Sequence, residues 1–480
     1  MNRIAQNKEK KMSYFTEFEK YGDAVALLDD QGVTVTYAEL AKKAGEIGAA
    51  VGRRTLVFSF CQNSAGSAVG YLSFLNNHIV PLMIDRKVDR ELRQNLLDVY
   101  EPAYVYVPAD MREEFADCRK VYEGYDYVLL RTDFSDEIEM NDELALLLTT
   151  SGSTGSPKLV RQSYTNIDAN ARSIVEYLEL DATERPVTTL PMNYTYGLSI
   201  LNSHMQVGAT LLLTDKTMMM RAFWDFMKEN KATSFGGVPF TYELLKKVRV
   251  FKMDLPDLRY MTQAGGKLSP ELHREFAEWA ESQGKRFIVM YGQTEATARM
   301  AYLPADKSIE KYGSMGIAIP GGRFTLIGVD GSEINEPEQV GELVYYGANV
   351  TLGYATCKAD LAKGDERQGR LVTGDMAKVD KDGFYYIVGR KKRFLKIFGN
   401  RVNLDEIDSL VKTEFLGIDC ASTGVDDHMK MFITEEGLVQ EVLRFLSDKT
   451  HLSQSAFTVT YIPEIPKNEA GKTLYKNLPE

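Results

Sequence analysis

From residue 56 to about residue 130, short apolar runs alternate with amphipathic stretches. LVFSF, IVPLMI, YVYV and YVLL read as buried strands, SAVGYLSFLNN and DRELRQNLLDVY as helices. This rhythm predicts layered α/β structure. It resumes beyond Pro186, with VTTLP, GATLLLT and RFIVMYG as strands and RAFWDFMKEN and SPELHREFAEWAES as helices, the second capped by Ser269. Between about Gly321 and Gly389 the character changes. RFTLIGV, GELVYYG, AKVD and FYYIVG read as strands, with Asp330-Gly331 and Asp382-Gly383 at tight turns, which predicts a small antiparallel sheet or barrel. After the basic run Arg390-Lys391-Lys392-Arg393, Asn403 is placed to cap an amphipathic helix whose first turn is acidic. A strand-like segment, a second helix (LVQEVLRFL) and the strand FTVTYI follow, enough for a small α+β unit.

Length agrees with more than one unit, since single cores stop growing beyond roughly 250–300 residues and this chain has 480. Hydrophobic residues make up 44% and charged residues 26%, as in ordinary globular proteins. A formal charge of −11 argues against a general nucleic-acid or anionic-membrane binder. The four cysteines are widely spaced and the five histidines show no ligand spacing, so a zinc site or disulfide framework has no support. Residues 1–12 are polar and basic, and no segment reaches the ~18 apolar residues of a membrane span. The expectation is a cytoplasmic chain without a membrane span.

The most informative segment is LLLTTSGSTGSPKLV, residues 146–160. An apolar strand enters a loop carrying Thr150, Ser151, Gly152, Ser153, Thr154 and Gly155 and then Lys158. Glycines let backbone N–H groups approach an anion, hydroxyls add donors and the lysine adds charge, which together suit a polyphosphate. It is not a Walker loop, because Ser156-Pro157 follows Gly155 and Leu159 follows the lysine where Ser or Thr is required. By composition alone a Ser/Gly-rich segment is equally a surface turn.

In its order of residues, the loop resembles the signature [ST][ST]Gx[ST]Gx-Pro-Lys of the adenylate-forming ligases: acyl-CoA synthetases, carrier-loading adenylation domains and luciferases. Further motifs follow in that family's order. Tyr291-Gly292-Gln293-Thr294-Glu295 is similar to Tyr-Gly-x-Thr-Glu, which implies that Thr294 contacts the α-phosphate and that Glu295 helps hold Mg²⁺, a hard cation suited to an oxygen ligand. Thr373-Gly374-Asp375 is similar to the segment whose aspartate accepts from the ribose hydroxyls, and Arg390 matches an arginine that approaches the nucleotide. Gly265 and Gly266 stand where the family has its adenine segment, and Lys392 where it has its interdomain hinge. Pro466-Lys467-Asn468-Glu469-Ala470-Gly471-Lys472 resembles the closing motif, with Asn468 in place of its hydroxyl residue, and implies that Lys472 is the adenylating lysine.

The resemblance implies a large N-terminal AMP-binding domain, 1–391, with its β-rich part at about 321–389, and a mobile C-terminal domain, 392–480. It implies ATP and Mg²⁺, a small-molecule carboxylic acid, and CoA as thiol acceptor, the alternative being an adenylation enzyme that loads a hydroxy or amino acid (D-alanine-like) onto a carrier protein's phosphopantetheine. Asn193 and Tyr194 occupy the acyl-pocket segment, and Gly236 and Gly237 are the other pocket candidates. Neither an amide nor a phenol is a counter-ion for an α-ammonium, so an acyl or aryl acid is favoured over an ordinary α-amino acid. No Ser/His/Asp or Cys/His constellation is evident, as expected where no protein nucleophile is required. A catalytically silent nucleotide-binding protein is the competing reading, against which stands the joint presence of the hydroxyl loop, Glu295, Asp375 and Lys472.

Overall fold

The computed structural model describes residues 17–135, 137–149, 158–398, 400–450, 452–468 and 471–479, the side chains of 392, 400 and 401 excepted. Within these, the alternating N-terminal pattern builds two large sheets. The first is ordered Gly353–Ala355, Leu159–Ser163, Leu144–Thr149, Val80–Asp85, Leu56–Cys61, Tyr104–Pro108, Tyr127–Arg131, Arg119–Gly124. Its centre is parallel and its flanks antiparallel. Strands such as Leu56–Cys61 are buried on both faces, which is why they read as continuous apolar runs. The helix Ala65–Asn76 packs against this sheet with nearly every residue buried.

The second sheet runs Ile317–Ala318, Ala301–Tyr302, Arg286–Tyr291, Tyr260–Gln263, Ser234–Gly237, Pro186–Val187, Leu211–Leu213, Val25–Asp29, Thr34–Thr36. Four of its neighbouring strands, from Pro186–Val187 to Arg286–Tyr291, run parallel, so their carboxyl ends open on one edge. The segment VTTLP contributes only Pro186–Val187. The chain leaves the sheet there because the hydroxyls of Thr188 and Thr189 bond the carbonyls of Thr214 and Gly236, and Pro191 offers no N–H. Ser269 caps the helix Pro270–Ser282, accepting from Leu272 N at 3.2 Å.

The β-rich segment forms a five-stranded antiparallel sheet, ordered Glu333–Ile334, Arg323–Ile327, Gly341–Tyr346, Arg370–Val379, Tyr385–Arg390. Gly331 and Gly383 take φ of 83° and 86° at its two Asp-Gly turns. Beyond it, the hairpin Phe394–Ile397/Asn400–Asn403 leads to the helix Leu404–Glu414. Asn403 accepts from Asp405 N and Glu406 N at that helix's start. The strands Cys420–Val425, His428–Ile433 and Phe457–Tyr461 and the helix Val439–Thr450 complete this part. Its core, from Leu395 to Phe457, is drawn wholly from the C-terminal segment, the physical requirement for a unit that could move as a body.

Candidate active site

The site lies where the parallel sheet, the antiparallel sheet and the C-terminal hairpin meet. Asp375 lies inside the strand Arg370–Val379, not at a free turn. Gly374 takes φ of 74° there, and the pairing with Tyr385–Arg390 shifts register nearby. The carboxylate is buried and heavily engaged. The Tyr291 hydroxyl donates to Oδ2 at 2.5 Å, Gln293 Nε2 donates to the same oxygen at 2.9 Å, and Arg390 Nε stands 3.1 Å from Oδ1. Burial and the neighbouring Asp375 charge hold the Tyr291 phenol well above its ordinary value, so it stays a donor. Two motifs eighty residues apart in the chain therefore converge on one carboxylate.

Thr294 and Glu295 begin a single 3-10 turn, Thr294–Ala296, directly after the strand Arg286–Tyr291. Gly292 is obligatory before it, because a Cβ would lie 1.5 Å from the Ala298 carbonyl oxygen. Thr297 and Ala298 follow at φ of 53° and 95°, a strained path costing about 1–3 kcal/mol per residue. Gln162 Nε2 donates to the Thr294 carbonyl at 3.4 Å. Glu295 Oε1 accepts from the Tyr354 hydroxyl at 2.7 Å, while the Lys158 ammonium stands 3.3 Å from the centre of the Tyr354 ring. Burial and the Glu295 charge push the Tyr354 phenol up to about 12. Arg367 covers the same ring at 4.5 Å and donates to the Glu295 carbonyl at 3.0 Å. The predicted loop residues Thr150, Ser151, Gly152, Ser153, Thr154 and Gly155 lie outside the described residues; Lys158 marks where that loop re-enters the sheet.

Lys472 is carried on a tight hairpin. Asn468 N donates to Lys472 O at 2.9 Å, Lys472 N donates to Asn468 Oδ1 at 2.9 Å, and Lys467 pairs with Thr473. The Asn468 side chain thus holds the backbone of Lys472 in the turn. Gly471, at φ of 73°, lies against Phe240 of the helix Pro239–Lys247, to which a Cβ would approach within 3.1 Å. Burial, then the charge of Arg390, hold the Lys472 ammonium below the ordinary lysine value, opposed by Asp375 and Glu295. Lys472, Arg390, Asp375 and Glu295 are thus close enough to feel one another's charge.

On the acyl side, the Tyr194 hydroxyl stands over Gly265, which takes φ of 84° and whose Cβ would meet it at 2.6 Å. Gly266 faces Pro239 at 3.0 Å. Asn193 Oδ1 is buried without a hydrogen-bond partner among the described residues. A side chain at Gly236 would strike Ile200 and the Tyr196 hydroxyl, and one at Gly237 would strike Thr241 and Tyr242. Gly237 thus serves the packing of the following helix, whereas Gly236 faces the interior beside Tyr196. Lys392 sits in the 3-10 turn Lys391–Arg393, between Arg390, bound to Asp375, and Arg393, bound to Asp405 and Asp408 at 2.8 Å each. Sequence reading missed Gln293, Tyr354 and Arg367; Tyr354 is placed by the pairing of Gly353–Ala355 with Leu159–Ser163, and Gln293 and Arg367 by turns beside their strands, none of which a local motif encodes.

Among the described residues no three His, Cys, Asp or Glu side chains cluster as metal ligands, and no helix is long and apolar enough to cross a membrane. The AMP-binding enzyme family model matches residues 15–355. The chain is 28% identical to a peroxisomal OPC-8:0-CoA ligase 1 from Arabidopsis thaliana over 70% of this chain and 64% of that one, so it spans less than two thirds of that relative's length. It is also 28% identical to a 2-succinylbenzoate–CoA ligase from Geobacillus over 95% of this chain and 94% of the other. In fold it is similar to the AMP complex of O-succinylbenzoate coenzyme A synthetase from Bacillus subtilis, with a TM-score of 0.78, 20% identity and 98% of each chain covered. It is likewise similar to ATP-bound MatB from Rhodopseudomonas palustris, with a TM-score of 0.76, 22% identity and 97% and 98% covered. With most of its length matched by that family model, this chain belongs to the AMP-binding enzymes.

Proposed function

We propose that the protein activates a carboxylic acid with ATP, releasing pyrophosphate and forming an acyl-adenylate, and then transfers the acyl group to a thiol, that of CoA. The observation that carries this reading is the convergence of Lys472, Arg390, Asp375 and Glu295 from four separate elements. The likeness to named CoA ligases supports it. In the first step a carboxylate oxygen attacks the α-phosphorus and the bond to pyrophosphate breaks. Two anions must meet, so preorganised cations and N–H donors supply most of the stabilisation, each worth roughly 3–4 kcal/mol. Lys472 holds the carboxylate and α-phosphate oxygens together; Thr150–Gly155 and Lys158 hold the leaving pyrophosphate; Asp375 accepts from the ribose hydroxyls.

Glu295, a hard carboxylate oxygen donor beside Tyr354, suits Mg²⁺, which when bound neutralises phosphate charge. In the second step the thiol sulfur attacks the acyl carbon and AMP leaves. Residues 392–480 swing about Lys392 between the two steps, withdrawing Lys472 and admitting the thiol. ATP–pyrophosphate exchange over a panel of acids tests the first step. Product analysis with CoA, and with a carrier protein's phosphopantetheine as the alternative acceptor, tests the second. Absence of exchange with every acid would overturn the reading.

A further inference from the structure

Two arginines, Arg161 and Arg299, are among the largest fully buried side chains. Arg161 is fully answered: it donates to the carbonyls of Tyr354, Leu352 and Gly364 and pairs with Glu366 at 2.6 Å. Arg299 is not. Its Nε donates to Ser199 Oγ at 3.1 Å, one terminal nitrogen donates to the Tyr177 hydroxyl at 3.0 Å and touches the Met290 sulfur, and the guanidinium lies 4.5 Å from the Tyr196 ring centre. All of these partners are neutral. No carboxylate pairs with it among the described residues, and the other terminal nitrogen has no hydrogen bond among them. A buried cation without an anion is costly unless something supplies one.

The surroundings point to a ligand as the supplier. Arg299 borders a small cavity of about 10 Å³ with Ile174, Ile200, His204, Gly236 and Thr262. Burial holds His204 down to about 4, so it is neutral; its Nδ1 donates to the Ile200 carbonyl and its Nε2 accepts from the Tyr260 hydroxyl. Within this lining Arg299 alone carries charge. Gly236 looks onto the Tyr196 hydroxyl, whose ring lies under the guanidinium, and Tyr194, two residues earlier, stands over Gly265. The guanidinium therefore lies behind the acyl candidates, with one terminal nitrogen left to donate to a carboxylate oxygen.

We propose that the acyl site takes an acid bearing a second carboxylate remote from the reacting one, and that Arg299 binds that second group. This rests on the adenylation reading above and adds the substrate class. The cavity beside Arg299 has about the room of one water, so the acid has to end at its second carboxylate. A merely structural Arg299 would leave acid selectivity unchanged.

The test is ATP–pyrophosphate exchange by the full chain with C2–C5 dicarboxylic acids, their half-amides and monoacids of equal length. The expected result is a kcat/KM for the best diacid about 10²-fold above that for its half-amide, the discrimination of a site left with an unanswered charge. Arg299→Met abolishes that preference, mainly through KM, and Arg299→Lys restores part of it. Should Arg299→Met fail to fold, the wild-type ratio decides alone. Half-amides or monoacids exchanging as well as the diacids overturn the assignment, whereas exchange with no acid at all overturns the adenylation reading instead.

Discussion

Arg390 Nε lies 3.1 Å from Asp375 Oδ1, and the two residues are direct partners across adjacent antiparallel strands. Register alone brings them together, so the arginine just before the proposed hinge is tied to the carboxylate proposed to hold ribose. Asp375→Asn keeps the shape but halves the acceptor capacity facing Tyr291, Gln293 and Arg390. We expect the KM for ATP to rise about tenfold or more with a smaller change in kcat, and stability to fall by about 1–3 kcal/mol. Steady-state kinetics and urea unfolding check both.

The buried setting of Lys472 gives a pH signature. Its ammonium is held below the ordinary lysine value by burial and by Arg390, so the charged form is lost at lower pH than for a free lysine. Exchange activity should therefore fall on the alkaline side before pH 10.5 is reached. Lys472→Arg, always charged, should remove that limb even if its rate is lower. The sign for stability is opposite: burying the ammonium costs free energy below its ordinary value, so Lys472→Ala should leave stability near neutral pH unchanged or slightly raised. A marked loss of stability in Lys472→Ala would contradict this.

Glu295 and Tyr354 make a separate prediction. Glu295→Gln preserves volume but removes the negative oxygen proposed for Mg²⁺. The Mg²⁺ concentration giving half-maximal exchange should rise about tenfold or more, whereas Tyr354→Phe, which removes only the hydrogen bond to Glu295, should shift it far less. A Mg²⁺ titration of both variants distinguishes them.

Asp408 and Arg393 govern the C-terminal unit. Burial raises the Asp408 carboxyl to about 6, opposed by Arg393. A raised carboxyl stabilises the fold while protonated, so this contribution is full below pH 3.8 and is lost as pH rises through about 6. Its ceiling is about 3 kcal/mol. Amide exchange in Leu404–Glu414 should speed up over that window in the wild type more than in Asp408→Asn. Arg393→Ala, which strands the buried carboxylate and uncovers the Tyr475 ring, should cost about 3–5 kcal/mol at pH 7.

The elements were legible where one period dominates: the strands Leu56–Cys61 and Gly341–Tyr346 and the helices Arg90–Tyr100 and Pro270–Ser282 sit where their apolar spacing puts them. The strand Val25–Asp29 and the helix Tyr37–Val51 were not anticipated, and VTTLP was read too long because its threonines satisfy the backbone from the side. At the site, contiguous motifs were readable and their mutual placement was not. That Tyr291 and Gln293 would turn onto Asp375, or that Tyr354 would join Lys158 to Glu295, depends on pairings across many tens of residues. The charge pattern of the basic run Arg390–Arg393 gave no sign that Arg393 is half-buried against two aspartates.

Lys392→Pro, rigid at the turn between two anchored arginines, should leave exchange within a few-fold of wild type while thioester formation falls by about 10²-fold or more. Equal loss of both steps would argue against a hinge at Lys392.

The central claim is that this site joins a carboxylate to the α-phosphate of ATP, and ATP–pyrophosphate exchange with wild-type protein and Lys472→Ala tests it most directly. Acid-dependent exchange is expected in the wild type, with a rate about 10²–10³-fold lower in the variant. Exchange in neither, or an equal rate in both, would contradict it.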